Sequence, residues 1–180
     1  MKTKTMVTCA VFAAILCICS VITIPIGPVP ITLGLFGIMA AAVILGWKRG
    51  TVSVLVFILL GAVGLPVFSG FKGGVSVLLG PTGGYIWSYI LVALFIGFFA
   101  AGERSNKWLT ILRIFIVCLI GIVICYTLGT AQFMLVRGMD LKQSLALCVL
   151  PFIPFDIAKA AVASYAGYEV RHALQRARLM

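Results

Sequence analysis

Asp156 and Lys159 stand three residues apart in Phe155-Asp156-Ile157-Ala158-Lys159, inside a stretch apolar enough to lie in a bilayer. On a helix, positions i and i+3 share a face, so the two charges are neighbours. Ionisable groups at membrane depth are expensive and tend to mark functional sites. One reading is an ion pair that only fixes helix packing. Such a pair barely repays its desolvation against an apolar substitute, so retention for a ligand explains it better. A carboxylate beside an ammonium suits a small molecule with N–H and C=O groups of its own. Pro151 and Pro154, just upstream, are expected to bend or unwind the helix and free backbone carbonyls nearby. Phe152 and Phe155 are candidates to wall an apolar ligand body, although phenylalanine in this setting is more often plain core.

The elements that position this pair are membrane helices. Of 180 residues, 63% are hydrophobic and 10% charged, and the mean hydropathy is +1.22. Soluble domains run nearer 45–50% apolar and about 25% charged. At roughly 20 residues per span, six spans use about 120 residues and leave short loops. The expected fold is therefore an all-α membrane protein, a single domain over 1–180, with spans at 7–24, 33–47, 51–66, 83–101, 110–133 and 144–169. Pro25-Ile26-Gly27-Pro28-Val29-Pro30 separates the first two spans and Gly46-Trp47-Lys48-Arg49-Gly50 the next two. The glycine-rich connection over 64–84 is too apolar for an ordinary wet loop and is expected to fold back over or into the bundle. Lys2 and Lys4 before the first apolar run mimic a signal peptide. No clean small-x-small cleavage site follows, and that run reads as a retained first helix.

Charge bias gives the orientation. With both termini inside, the inner side carries Lys2, Lys4, Lys48, Arg49, Arg104, Lys107, Arg113, Arg171, Arg176 and Arg178, against Lys72, Arg137 and Lys142 outside. Ten against three obeys the positive-inside rule, and inverting the chain would break it. Trp47, Trp87 and Trp108 near span ends fit interfacial anchoring. The proline loop, the glycine loop and the entry of the Asp156 span then all face outward, as a capture site for import requires. The net charge of +10 falls at helix ends and forms no continuous basic face, which argues against nucleic acid as a partner.

Other motifs are weaker. Gly80-Pro81-Thr82-Gly83-Gly84-Tyr85 reads as a helix start, with Thr82 as a possible cap. Its functional reading adds close approach of the Gly83 and Gly84 backbone to a ligand, with the Tyr85 ring and hydroxyl in reach. No Gly-x-x-x-x-Gly-Lys-Ser/Thr loop exists, so the chain has no visible means of hydrolysing ATP. The six cysteines show no paired metal-ligand spacing and read as small buried hydrophobes. His172 is the only histidine, which excludes a multi-histidine metal site. One histidine and four acids offer no convincing nucleophile–base constellation, so no enzyme and no cofactor are expected. Ala10-x-x-x-Ala14 puts two small side chains on one face of the first span, spacing that permits close helix contact either inside the bundle or with a partner.

Four ordered segments carry a family resemblance across the whole chain. They are Pro25-Ile26-Gly27-Pro28-Val29-Pro30-Ile31-Thr32-Leu33, Gly64-Leu65-Pro66-Val67-Phe68, Gly80-Pro81-Thr82-Gly83-Gly84-Tyr85 and Phe155-Asp156-Ile157-Ala158-Lys159. Together they resemble BioY, the biotin-binding S subunits of energy-coupling-factor transporters. The resemblance implies six helices in a bacterial cytoplasmic membrane, with both termini inside. It implies capture of biotin outside and delivery inward with a transmembrane scaffold subunit and two ATP-binding cassette ATPases. The family's polar site falls on Asp156 and Lys159, its scaffold-contacting face on Ala10 and Ala14, and its closing outer loop on 25–32, which includes Thr32. Asp156 is then expected to accept from a ureido N–H and Lys159 to donate to the ureido carbonyl, or else to reach the valerate carboxylate. The chain departs from the pattern at Gly34, where relatives often have glutamine, at Phe71 and Lys72, where some carry glycine and an amide, and at Ile86, where some carry arginine. Those departures leave the carboxylate partner open, and Lys72 is a candidate to replace one lost contact. The competing readings are an S subunit for another vitamin and, from a different class, a structural membrane scaffold.

Overall fold

The structure, a computed structural model, describes residues 3–24, 29–102 and 106–177. Its elements in chain order are α1 (Thr3–Val21), β1 (Thr23–Ile24), β2 (Ile31–Thr32), α2 (Gly34–Ala62), α3 (Val75–Leu79), α4 (Gly83–Phe99), α5 (Lys107–Arg137), α6 (Leu141–Cys148) and α7 (Ile153–Arg176). Among these, α1 and α5 are each long and apolar enough to cross a membrane, and α2 is so only over its full length, across an internal break. A fourth such span arises if α6 and α7, bent by 52° at their break, count as one, and α4 is apolar but only 17 residues long. The Pro25–Pro28 part of the loop between the first two expected spans, and Lys2, Arg104 and Arg178 of the charge pattern, lie outside the described residues.

One glycine decides the path of α2. Gly46 has φ 74° and ψ 179° in the middle of an otherwise helical run. A left-handed φ is open to glycine at little cost and closed to most side chains. There the chain reverses. A Cβ built on Gly50 would lie 3.1 Å from Ala42 Cα, whereas eight residues of straight helix separate such positions by about 12 Å. The element is thus two arms, 34–45 and 47–62, which correspond to the expected spans 33–47 and 51–66. The expected five-residue turn contracts to this single residue.

The two arms form the centre of the bundle. α2 packs against α1, α4 and α7, and α5 packs against α4, α6 and α7. Lipid tails are as apolar as leucine, so burial alone drives little association between such helices, and close backbone approach has to supply it. Gly97 of α4 illustrates this, because a Cβ there would fall 2.5 Å from Trp47 Cα and N. The core between the arms and α4 holds Met39, Val43, Val54, Phe57, Val92 and Ile96, all at most 1% exposed.

The last expected span, 144–169, is broken as its prolines require. α6 ends at Cys148, α7 begins at Ile153, and Pro154 occupies the first turn of α7, where its missing N–H costs nothing. The glycine-rich connection is likewise no loose loop. Phe68 and Lys72 pair as an antiparallel bridge, with Phe68 N donating to Lys72 O at 2.9 Å and Lys72 N to Phe68 O at 3.3 Å. Phe68 is buried edge-on against Phe57, with ring centroids 5.6 Å apart.

Basic residues gather at one end of the bundle. Arg113 Nε donates to Phe99 O at 3.1 Å, and its Nη1 to Gly102 O at 3.3 Å. Arg171 Nη1 donates to Val43 O and Ala100 O, both at 3.4 Å. Apart from Val43 O, near the end of the first arm of α2, these are the carbonyls that end α4, the electronegative pole of a helix. An ion pair from Lys107 to Glu169 ties the start of α5 to the end of α7 at the same end.

Replacing Gly97 by alanine tests this packing by its sign. Helix propensity alone favours Gly97→Ala by about 1 kcal/mol. The approach of Trp47 predicts the opposite, a loss of roughly 1–3 kcal/mol from overpacking. Thermal unfolding of the purified variant in detergent should show a lowered midpoint, and a raised one would rule out the close contact.

Candidate functional site

A cavity of about 140 Å³ lies where α7 begins, beneath the connections that follow α1 and α2. Its lining draws on α1, β2, α2, the 68–72 turn, α4, α5, α6 and α7. Apolar and aromatic groups make most of the wall, among them Leu35, Phe68, Val77, Ile86, Tyr89 and Phe152.

At its polar pole Asp156 is 4% exposed and its neighbours satisfy both carboxylate oxygens. Lys159 Nζ donates to Asp156 Oδ1 at 2.8 Å, and Tyr126 Oη donates to Asp156 Oδ2 at 2.6 Å. Lys159 Nζ also donates to the backbone carbonyl of Thr32 at 2.7 Å. Asp156 lies in the first turn of α7, where the partial positive charge of the helix N-terminus favours a carboxylate. The break after Cys148 is what opens that helix end within the bundle. With two contacts made, the ammonium keeps one N–H for a ligand, and the carboxylate keeps lone pairs for donors. The arrangement therefore reads a neutral group that carries both a carbonyl and N–H donors.

Thr32 does two jobs. Its Oγ1 accepts from Gly34 N at 3.1 Å at the start of α2. Its main chain pairs with Thr23 in the β1–β2 hairpin at the foot of the loop that joins α1 to α2. The carbonyl that Lys159 holds thus belongs to the root of that loop.

Tyr85 lies against Gly129 of α5, where a Cβ would collide with its ring, and its Oη is 3.4 Å from Thr130 Oγ1. Gln132 Nε2 of α5 donates to Leu78 O and Gly80 O, both at 2.9 Å, and fixes the connection between α3 and α4 against α5. The turn at 69–71 is also held in place. Gly70 and Phe71 have φ 71° and φ 56°, and the left-handed region costs a residue such as phenylalanine on the order of 1–3 kcal/mol.

Of the residues singled out from the sequence, Asp156, Lys159, Tyr85, Thr32 and Lys72 all line this cavity. Gly83 and Gly84 are not in the lining. A Cβ on Gly84 would fall 2.5 Å from Leu128 O, and one on Gly83 would run into Leu78 O and Gln132, so both glycines serve helix contact. Phe155 is also outside the lining and 48% exposed. Successive helical residues point about 100° apart, so Phe155 turns away when Asp156 turns in. Phe152 takes the wall position instead. Ala10 and Ala14 are exposed on α1, along a face that also shows Val7, Val11 and Ile18.

Sequence reasoning missed Tyr126, Ser69, Tyr89 and two cysteines, Cys125 and Cys148, all in the lining. Tyr126 left a signal. It sits within a long apolar helix, 11 residues from its end, where a phenol needs a hydrogen-bond partner. Among the described residues, no group of three or more histidine, cysteine or acidic side chains is placed to hold a metal ion.

Comparison with known proteins places this geometry. The model of the BioY family matches residues 1–176. The chain is 39% identical over 161 residues to a protein of Thermotoga maritima named biotin transporter BioY, covering 89% of this chain and 92% of that one. It is 39% identical over 163 residues to the probable biotin transporter BioY of Pyrococcus horikoshii, covering 91% and 93%. A crystal structure described as the S-component for biotin from an ECF-type ABC transporter superposes with a TM-score of 0.84 at 34% identity, covering 95% of this chain and 92% of that one. The all-α fold described above is that of the energy-coupling-factor S-components, and the chain belongs to the BioY family.

Proposed function

We propose that this chain is the membrane subunit that captures biotin for an ATP-driven energy-coupling-factor uptake transporter. It is a multi-pass transport protein and not an enzyme. The observation that carries the reading is the Tyr126–Asp156–Lys159 network, buried at one pole of an otherwise largely apolar and aromatic cavity. Biotin's ureido ring offers a carbonyl and two N–H groups on an apolar bicycle. In this reading Asp156 accepts from a ureido N–H, Lys159 donates to the ureido carbonyl, and the surrounding aromatic and aliphatic wall takes the ring system.

The finer assignments rest on the same reading. The chain makes six passes, α1, the two arms of α2, α4, α5 and the bent α6–α7 pair. This count is supported by the reversal at Gly46 and by the apolar character of α4. The end of the bundle that carries Lys48, Arg49, Lys107, Arg113, Arg171 and Arg176 is the cytoplasmic one, by the positive-inside rule. The N-terminal turns of α1 and the C-terminal part of α7 meet near that end, where Lys4, Thr8 and Leu174 line a common groove. In this reading both termini lie on the inner side of a bacterial cytoplasmic membrane and the biotin site lies near the outer face. Energy comes from two ATP-binding cassette ATPases acting through a transmembrane scaffold subunit, because the chain has no nucleotide-binding motif of its own. The exposed Ala10/Ala14 face of α1 is the docking surface for that scaffold, since small residues let a second helix approach.

Titration with biotin in detergent tests the site. Asp156→Asn and Lys159→Met should each weaken binding by about 2–5 kcal/mol, roughly 30- to several-thousand-fold. Tyr126→Phe removes one donor to the carboxylate and should cost about tenfold. Wild-type affinity in all three variants would reject the site.

The docking surface is tested by separating binding from uptake. Purified A10W/A14W protein should bind biotin normally, while cells that express it with the scaffold and ATPases should lose uptake. Loss of binding in the purified protein would show instead that this face packs within the bundle.

A further inference from the structure

The charges that line the cavity do not cancel. Asp156, Lys159 and Lys72 are the charged residues of its lining, and Asp156 and Lys159 are spent on each other. Among the described residues no carboxylate pairs with Lys72. Asp156 and Glu169 are engaged by other lysines, and Asp140 stands at the start of α6. Beside Lys72 lies a second uncommitted group. Ser69 Oγ is buried without a hydrogen-bond partner and belongs to a residue of the same lining. A buried hydroxyl left unpaired costs free energy, and in native proteins such an orphan calls for an explanation.

The turn that carries both groups is built to stay where it is. Phe68 anchors it in the core, the Phe68–Lys72 bridge closes it, and Phe71 accepts a left-handed backbone in between. Strain of that kind persists where the surrounding structure holds a functional geometry.

We infer that Ser69 and Lys72 form an anion subsite that holds the carboxylate end of the ligand while Asp156, Tyr126 and Lys159 hold its neutral end. The inference rests on the biotin reading and extends it by naming what binds the tail. The ligand class is an elongated monoanion, with a neutral donor–acceptor head at one end and a carboxylate at the other. A single negative charge compensates the one positive charge left over in the lining. Lys159 is a poor alternative for the carboxylate, because Asp156 already balances its charge and its one remaining N–H faces the neutral end in this reading. Lys72 adds charge and Ser69 a directional O–H, the combination that makes carboxylate hydrogen bonds stronger than neutral ones.

Calorimetric titration of the purified full chain with biotin and with biotinamide, whose tail is neutral, tests the subsite. The wild type should prefer biotin, by about 10- to 100-fold if a charge-assisted contact is at stake. Lys72→Gln should bring biotin down to the level of biotinamide and leave biotinamide within about threefold of its wild-type value, by the same reckoning. Ser69→Ala should lower biotin affinity alone, by less, and Lys72→Arg should keep the preference. If Lys72→Gln binds biotin with the wild-type affinity and preference, the subsite does not exist, while the capture of biotin stands. If the wild type binds neither compound, the biotin reading fails and the subsite falls with it.

Discussion

Everything near the site is organised around one buried carboxylate inside a membrane bundle. An isolated ion there is prohibitively costly, and the relief must come from geometry. Asp156 obtains it from two helices. The broken end of α7 supplies a favourable backbone dipole, Lys159 one turn on supplies the counter-ion, and Tyr126 of α5 supplies a hydroxyl. Lys159 in turn extends the network to β2, through the Thr32 carbonyl. Three separate elements of the cavity, α5, α7 and β2, are thereby fixed with respect to one ion. Their mutual positions follow from electrostatics more than from apolar burial, which lipid makes nearly indifferent.

The helix packing around this network obeys the same economy. Where hydrocarbon surrounds the helices, contact between backbones is the attraction on offer, and it needs positions without side chains. Gly97 against the Trp47 backbone and Gly84 against the Leu128 carbonyl are such positions, and Gly129 makes the same kind of room for the Tyr85 ring. Two of them lie in the α4–α5 contact, which also carries Gln132 and its hold on the α3–α4 connection. The rigidity of the wall near Tyr85 is thus set by residues that never touch the cavity.

Much of this was legible in the sequence, and the reasons are physical. Two opposite charges in an apolar run announce themselves, and Pro151 and Pro154 can do little but break a helix. Gly46 followed by Trp47, Lys48 and Arg49 reads as a turn at an interface. Residues whose role depends on a partner distant in sequence were out of reach. Tyr126 matters because of Asp156, thirty positions on, Gln132 because of Leu78 and Gly80, and Ser69 because nothing meets it. Phe155 shows the remaining difficulty. Composition nominates both phenylalanines beside the prolines, but only the phase of α7 after its break selects Phe152 for the wall. Gly83 and Gly84 carry the same lesson, since a glycine that permits close approach does not say what approaches.

The exposed face of α1 has a consequence for how such a protein can diversify. Along its length α1 packs chiefly on α2, and of its side chains only Ser20, close to its end, reaches the cavity. Val7, Ala10, Val11, Ala14 and Ile18 look away from the bundle. Substitutions on that face can accumulate without disturbing what the cavity recognises, and changes in the cavity leave the face untouched. The residues that line the cavity and those that look outward on α1 are therefore separate sets within one short chain, and either set can change without altering the other.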